Sequence, residues 1–192
     1  MASAYDDELW RLIPEERTEP PKHLVDFVGQ IGEVGAALDI GCGDGAVTAH
    51  LRAAELVAAD VSQVALARAR PRLTGATLVE LDPDDRLPFL DNSFDEVLCT
   101  ETIEHVRDVQ LFFSEARRVL RPRGSLWVTT PACGRLCALD ALVRGFERRF
   151  DPLSSHLRFF TRRSLRALLE EMGFELMMLK RRHGSLLTQA RR

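Results

Sequence analysis

Between positions 39 and 45 the chain reads Asp39-Ile40-Gly41-Cys42-Gly43-Asp44-Gly45, an acid followed by glycines at alternate positions. The apolar run before it, from Ala37 to Ile40, is short and stops at glycine, the pattern of a buried strand in a parallel sheet. Residues Ala46 to Leu51 then predict the first turns of a helix. A strand, a tight glycine loop and a helix start let the backbone approach a ligand closely and turn free N–H groups towards it. The ligand read from this unit is nucleotide-like. A dinucleotide fingerprint has the spacing G-x-G-x-x-G and holds a pyrophosphate. Here the spacing is G-x-G-x-G, and a carboxylate at Asp39 would repel a pyrophosphate but suits a cationic ligand. Asp60 ends the next apolar run, Leu56 to Ala59, and is placed to accept hydrogen bonds from a ribose. Nicotinamide enzymes share that acid, so it supports a ribose without choosing the cofactor.

Two histidines complete the set of reactive residues. His105 lies in Thr100-Glu101-Thr102-Ile103-Glu104-His105-Val106, which follows the apolar run of a fourth strand, and His156 lies in an irregular stretch from Asp151 to Phe160. Ligands of open α/β sheets bind outside the carboxyl ends of the strands, where both segments should fall. Imidazole titrates near neutrality and can take the proton of a hydroxyl nucleophile, so both are candidate general bases. The alternative is that each orients its own loop. Glu101 can contact either substrate or cofactor. His23, His50 and His183 have no comparable placement.

The order D-x-G-x-G-x-G resembles motif I of the class I S-adenosylmethionine (SAM)-dependent methyltransferases, whose cofactor carries a sulfonium and an ammonium. The run from Asp82 through Leu87-Pro88-Phe89 and Ser93-Phe94-Asp95 to Cys99 is similar to a second segment of that family, and Glu101-x-x-Glu104-His105-Val106 resembles the small-molecule O-methyltransferases of the ubiquinone-pathway kind. Arg118-Val119-Leu120-Arg121-Pro122-Arg123-Gly124 and His156-x-Arg158-Phe159-Phe160-Thr161 are family-like as well. The resemblance covers nearly everything from Leu38 onward. It implies SAM as cofactor and S-adenosylhomocysteine as product, with Asp39, Gly41, Cys42, Gly43, Asp60, Val61, Asp82, Pro83, Thr100 and Glu101 around it. Val61 would lie against the adenine and Asp82 would accept from its amino group. The [ND]-P-P-[YF] segment of enzymes that methylate nucleobase or glutamine amides is absent, which favours a small-molecule acceptor, most plausibly a hydroxyl, over nucleic acid. The alternative is a SAM-fold binding or regulatory subunit that transfers no methyl group.

The elements that must hold these residues follow from periodicity. Strands are predicted at 76–81, 96–100, 125–130 and 174–179, with a reversed last strand at 185–191, and helices fall between most of them. Leu24, Val25, Phe27, Val28 and Ile31 form a helical stripe before the first strand. Asp108 precedes a helix whose inner face carries Phe112, Phe113, Ala116 and Val119, and Thr161 caps another closed by Gly173. The expected fold is a single α/β domain: a Rossmann-like, doubly wound sheet of seven strands, six parallel and one antiparallel. Residues 1–35 are expected as a helical segment over the cofactor site, with Tyr5 and Trp10 as covers. Residues 36–192 are expected as the methyltransferase domain, with a substrate lid at 132–160.

At 192 residues, 45% hydrophobic and 29% charged, the chain has the composition of one soluble domain. It holds no apolar run long enough to span a membrane, and Asp6, Asp7 and Glu8 occupy the region where a signal peptide would be basic, so a cytoplasmic setting is expected. Cys133 and Cys137 have no second ligand pair nearby, so the four cysteines are expected as buried or idle thiols, with no metal and no structural disulfide. Residues 1–104 carry 8 Lys and Arg against 21 Asp and Glu, and residues 105–192 carry 18 against 8. The two halves are expected to interleave, with Arg117, Arg118, Arg162, Arg163 and Arg166 pointing mostly to water. Monomer and homodimer are both open.

Overall fold

The computed structural model describes residues 2–14, 19–146, 150–151 and 154–192. Seven strands form one sheet in the order β3-β2-β1-β4-β5-β7-β6. They are β1 (Glu33–Ile40), β2 (Arg52–Asp60), β3 (Thr77–Glu80), β4 (Phe94–Thr100), β5 (Leu120–Pro131), β6 (Glu175–Arg182) and β7 (Ser185–Arg191). β1 pairs in parallel with both β2 and β4, and β7 runs antiparallel to both β5 and β6. The chain therefore leaves β1 towards one edge and β4 towards the other, and the crevice between their carboxyl ends is the place where such sheets bind ligands.

Alternation along the central strands divides the core into two layers. Leu38 and Ile40 of β1, Val97 and Cys99 of β4 and Leu126 and Val128 of β5 face α4 (Val109–Val119) and α6 (Arg162–Glu171). Ala37, Leu98, Trp127 and Leu187 face α2 (Lys22–Val28), and Ala58 packs on α3 (Gln63–Ala69). Helix starts follow the sequence signals: Ser62 Oγ accepts from Ala65 N, Asp108 accepts from the amides of Gln110 and Leu111, and Thr161 forms a capping box with Ser164. The remaining helices are α1 (Ala2–Leu12) and α5 (Arg135–Arg144).

Three expectations are corrected. The helix predicted from Ala46 is a single 3₁₀ turn, Thr48–His50, because β2 starts at Arg52 and leaves room for little more than one turn. Cys133 and Cys137 are not idle thiols but a disulfide: Cys133 follows the end of β5 and Cys137 lies on the first turn of α5, which puts their Cα atoms 5.3 Å apart, within bridging range. Arg118 does not point to water. Its guanidinium donates to Glu115, Asp91 and the carbonyls of Leu87 and Phe89, and its hydrogen bond, with one from Arg86, holds the Glu115 carboxyl below its ordinary range. Of the expected lid at 132–160, residues 147–149, 152 and 153 lie outside the described residues, as do the side chains at 135, 136 and 138. No helix among the described residues is long and apolar enough to cross a membrane.

Candidate functional site

At the end of β1 the chain is tied to its neighbour before it turns. The amides of Gly41 and Cys42 both donate to Ala59 O, at 2.8 and 3.1 Å. Gly41, Gly43 and Gly45 all have positive φ, 77°, 55° and 76°. At all three an added side chain would also meet a close neighbour, at Gly45 the Leu73 side chain 2.9 Å away. A Cβ on Gly41 would collide with the side chain of Thr102, and one on Gly43 would sit 2.8 Å from the Trp10 ring. The glycine loop thus touches the turn after β4 on one side and α1 on the other.

Asp60 orders this loop directly. Its Oδ2 accepts from Gly43 N at 2.8 Å and its Oδ1 from Ser62 N at 2.9 Å, and burial raises its pKa above the ordinary aspartate value. Asp39 is fully buried: Oδ2 accepts from Thr48 Oγ1 at 2.6 Å, while Oδ1 has no hydrogen-bond partner. Desolvation pushes its pKa up to about 7, against the pull of the Thr48 hydroxyl. Cys42 is buried, with its thiol pushed up by desolvation, so it serves the loop as a small apolar residue. Val61 is half-buried against the core. Asp82 and Pro83 follow the end of β3, where Asp82 Oδ1 accepts from Asp84 N at 3.0 Å.

From α1, Asp7 Oδ1 accepts from Ser62 Oγ at 2.6 Å and Val64 N at 3.1 Å, and Arg68 donates to Ile13 O. The helix is therefore docked across the glycine loop and the start of α3, with the Arg68 guanidinium 5.8 Å from the Trp10 ring.

The turn after β4 gathers the second group. Thr100 pairs with Thr129 of β5, and Glu101 N donates to Thr129 at O and Oγ1, which holds Glu101 at a φ of 49°. Glu101 Oε1 is buried without a hydrogen-bond partner. Glu104 is 1% exposed; its Oε2 accepts from Thr130 Oγ1 at 2.9 Å, and burial, reinforced by the nearby Glu101 charge, raises its pKa to about 7. His105 Nδ1 lies 2.9 Å from Ser155 O, and its ring meets that of His156 edge-on at 4.7 Å between centroids. Leu157 N and Arg158 N donate to Glu104 O, and the Arg158 guanidinium donates to the carbonyls of Val106 and Arg107. The 154–158 loop is fastened to the turn after β4 at several points.

The two predicted histidines are thus one cluster, while the glycine loop, Asp60 and α1 form another, and Thr102 lies between them. Sequence reasoning assigned a role in this site to neither Glu104 nor Asp7. The signal for Glu104 was its place next to His105 and one helical turn after Glu101.

Comparison with known proteins identifies the fold's family. A sequence profile described as "Methyltransferase domain" matches residues 38–128, from β1 to β5. Over that stretch the chain is similar to methyltransferases. The malonyl-[acyl-carrier protein] O-methyltransferase of Geobacter sulfurreducens is 32% identical over 151 residues, which are 71% of this chain and 54% of that protein. The biotin biosynthesis bifunctional protein BioHC of Cellvibrio japonicus is 30% identical over 157 residues, 79% of this chain and 30% of that protein. The chain spans from under a third to about half the length of the curated relatives it matches. A crystal structure of a SAM-dependent methyltransferase from Aquifex aeolicus superposes with a TM-score of 0.69 at 16% identity, covering 90% of this chain and 94% of that one, which bears on fold alone.

Proposed function

We propose that this chain transfers a methyl group from SAM to a hydroxyl oxygen of a small molecule bound at the Glu104–His105–His156 cluster. The observation that carries the reading is the join between the two clusters. Gly41 of the glycine loop packs on Thr102, whose hydroxyl donates to Thr100 O at 2.9 Å, and Thr102 begins the turn that ends in Glu104 and His105. The O-methyltransferase named among the relatives supports oxygen as the acceptor atom.

The residues of the first cluster fit the cofactor. The unpartnered Asp39 Oδ1 offers an acceptor towards a cationic group, the loop glycines leave space that a Cβ would fill, and Asp60 stands where ribose hydroxyls can replace its present amide donors. When bound, SAM supplies an electrophilic methyl carbon with a neutral leaving group, so the protein's share of catalysis is proximity and orientation. The chain's own work is then to fix the acceptor and remove its proton. His105 and His156 stand where an acceptor hydroxyl can lose that proton, and the fastened 154–158 loop holds them there. Residues 1–35 act as a cover at the other end, with Trp10 against Gly43.

Titration calorimetry of the purified chain with SAM, S-adenosylhomocysteine and NAD tests this. Binding of the two adenosyl ligands without NAD, followed by radiolabelled methyl transfer to hydroxylated acceptors but not to amines, is the expected result. Binding without transfer to any acceptor would turn the reading to a regulatory subunit.

A further inference from the structure

Helix α5 is held unlike its neighbours. The helices α3, α4 and α6 each start on a side chain that accepts from their first amides, Ser62, Asp108 and Thr161, whereas α5 starts at Gly134, which has no side chain to offer. It ends at Gly145, at a φ of 98°. A helix of ten residues is marginal without tertiary support. Packing adds little here, since of its described side chains only those of Cys137 and Ala141 are buried. The covalent tie is the Cys133–Cys137 disulfide, which joins the first turn of α5 to the segment that leaves β5.

The two ends of that bond differ in freedom. Ala132 N donates to Gly184 O at 2.7 Å and Cys133 N to Phe160 O at 2.8 Å, so Cys133 is fixed between the β6–β7 turn and the end of the loop that carries His156. Three residues before it, Thr130 donates to Glu104 of the acceptor turn. Cys137 belongs instead to a short helix between two glycines, the residues that absorb backbone rotation most readily. On that helix Leu139, Leu142 and Val143, with Phe146 just beyond it, follow the spacing i, i+3, i+4 and i+7 of a buried face. All four are exposed. A stripe spaced for burial but left in water marks a helix kept away from its seat, and the nearest root of that helix is the strand end that supports the acceptor turn.

We propose that the Cys133–Cys137 disulfide is a redox catch on α5: while it is intact the helix stays back, and its reduction by a dithiol frees α5 to turn about Gly134 and Gly145 and lay its apolar stripe over the acceptor end. Cys133 is half-buried and Cys137 buried, so the incoming thiolate attacks Cys133 Sγ. A sulfur–sulfur bond forms to the reductant, the Cys133–Cys137 bond breaks, and its electron pair leaves on Cys137 Sγ, which takes a proton from water. The second thiol of the reductant then attacks the mixed disulfide, and its proton passes to the departing Cys133 Sγ. Two electrons have moved: the dithiol is oxidised to a disulfide and the chain gains two thiols. Cys42 and Cys99 are buried and take no part. Where α5 settles rests on the proposed acceptor end, whereas the catch does not.

The full chain is treated with oxidised or with reduced dithiothreitol, freed of the reagent, and measured without oxygen. In denaturant the oxidised sample should show two thiols and the reduced one four. Amide hydrogen exchange of residues 135–144, read by mass spectrometry, should be about tenfold faster after reduction, with β1 and β4 unchanged. Modification of His105 and His156 by diethyl pyrocarbonate should slow about threefold after reduction, while that of the exposed His50 stays the same. Cys137→Ser should match the reduced chain in both readouts whichever reagent it meets. Four thiols after oxidation, equal exchange at 135–144 in the two states, or equal modification of the two histidines would overturn the proposal. These comparisons use the unsubstituted chain, so they decide the matter even where the variant fails to fold. The expected redox responses in a chain that transfers no methyl group in either state support the catch and overturn only the methyl-transfer reading.

Discussion

The two ends of the crevice, the proposed cofactor end and the proposed acceptor end, are assembled by different means. The cofactor end is made from neighbours in sequence: Asp39, the glycines and Asp60 lie within 22 positions, on paired strands whose register puts Asp39 beside Ala58 and Ile40 beside Ala59. The acceptor end joins residues 51 positions apart, His105 and His156, through side-chain and backbone attachments between two loops. Local construction leaves a compact motif. Long-range construction leaves only isolated residues until the chain folds.

The seam between the ends is the place to test how far they depend on one another. Gly41→Ala should have the largest effect of the variants considered. The residue has a φ of 77°, and its new methyl group would drive into Thr102, so strain and overpacking together should cost about 5 kcal/mol of stability. Because Thr102 begins the acceptor turn, SAM affinity and acceptor turnover should fall together. A variant with an unchanged melting temperature, or one that loses SAM but keeps the acceptor cluster's properties, would show the ends to be independent.

Next in size is the pH response of the cofactor end. An Asp39 carboxyl with an ordinary pKa of 3.8 when unfolded and about 7 when folded favours the native state in its protonated form. Its contribution is present at low pH and is lost as pH rises through 4 to 7, on the order of 4 kcal/mol for a shift of this size. Asp39→Asn removes the titration while leaving a partner for the Thr48 hydroxyl. The variant should therefore gain stability relative to the parent between pH 5 and pH 8, measured by denaturant melts. A parallel course of the two proteins across that range would remove Asp39 as the source.

Asp60→Ala should lower SAM affinity by about 1.5 to 3 kcal/mol, since it removes the ribose acceptor and orphans the amides of Gly43 and Ser62. In contrast with Gly41→Ala, acceptor turnover at saturating SAM should stay intact. Calorimetry with SAM and methyl-transfer rates at saturating SAM read the two ends separately, and equal loss of both would deny that Asp60 belongs to one end only.

Legibility followed the same division. The sheet, the helix starts at Asp108 and Thr161, and the glycine loop were readable because each is set by residues a few positions apart. The helix expected after Gly45 failed on length. Its residues suit a helix, but only 11 positions separate Ile40 from Arg52, and the 3₁₀ turn is what fits. Arg118 shows the limit of periodicity: its place on α4 pointed outward, yet Glu115 and two loop carbonyls surround it. Glu104 and His156 were both visible as residues, but their meeting depends on backbone bonds from Leu157 and Arg158 that no spacing rule encodes. The Cys133–Cys137 bond was missed because spacing was weighed against a metal site and not against the turn that opens α5.

The smallest effect expected is at Trp10, and it separates two kinds of cover. At the acceptor end the 154–158 loop is riveted by main-chain bonds, whereas α1 lies across the glycine loop through Asp7, Arg68 and the contact of the Trp10 ring with Gly43. A ligand that needs the Gly43 backbone has to displace that ring, so part of its binding energy goes into moving the indole. When the competent state is only partly populated, apparent affinity is reduced by that fraction. Trp10→Ala should therefore tighten SAM binding by about two- to fivefold and speed association, with Asp60 and the acceptor cluster untouched. Weaker binding in this variant would instead mean that the indole closes over the bound cofactor, and α1 would then be a lid completed by the ligand and not a stopper that the ligand expels.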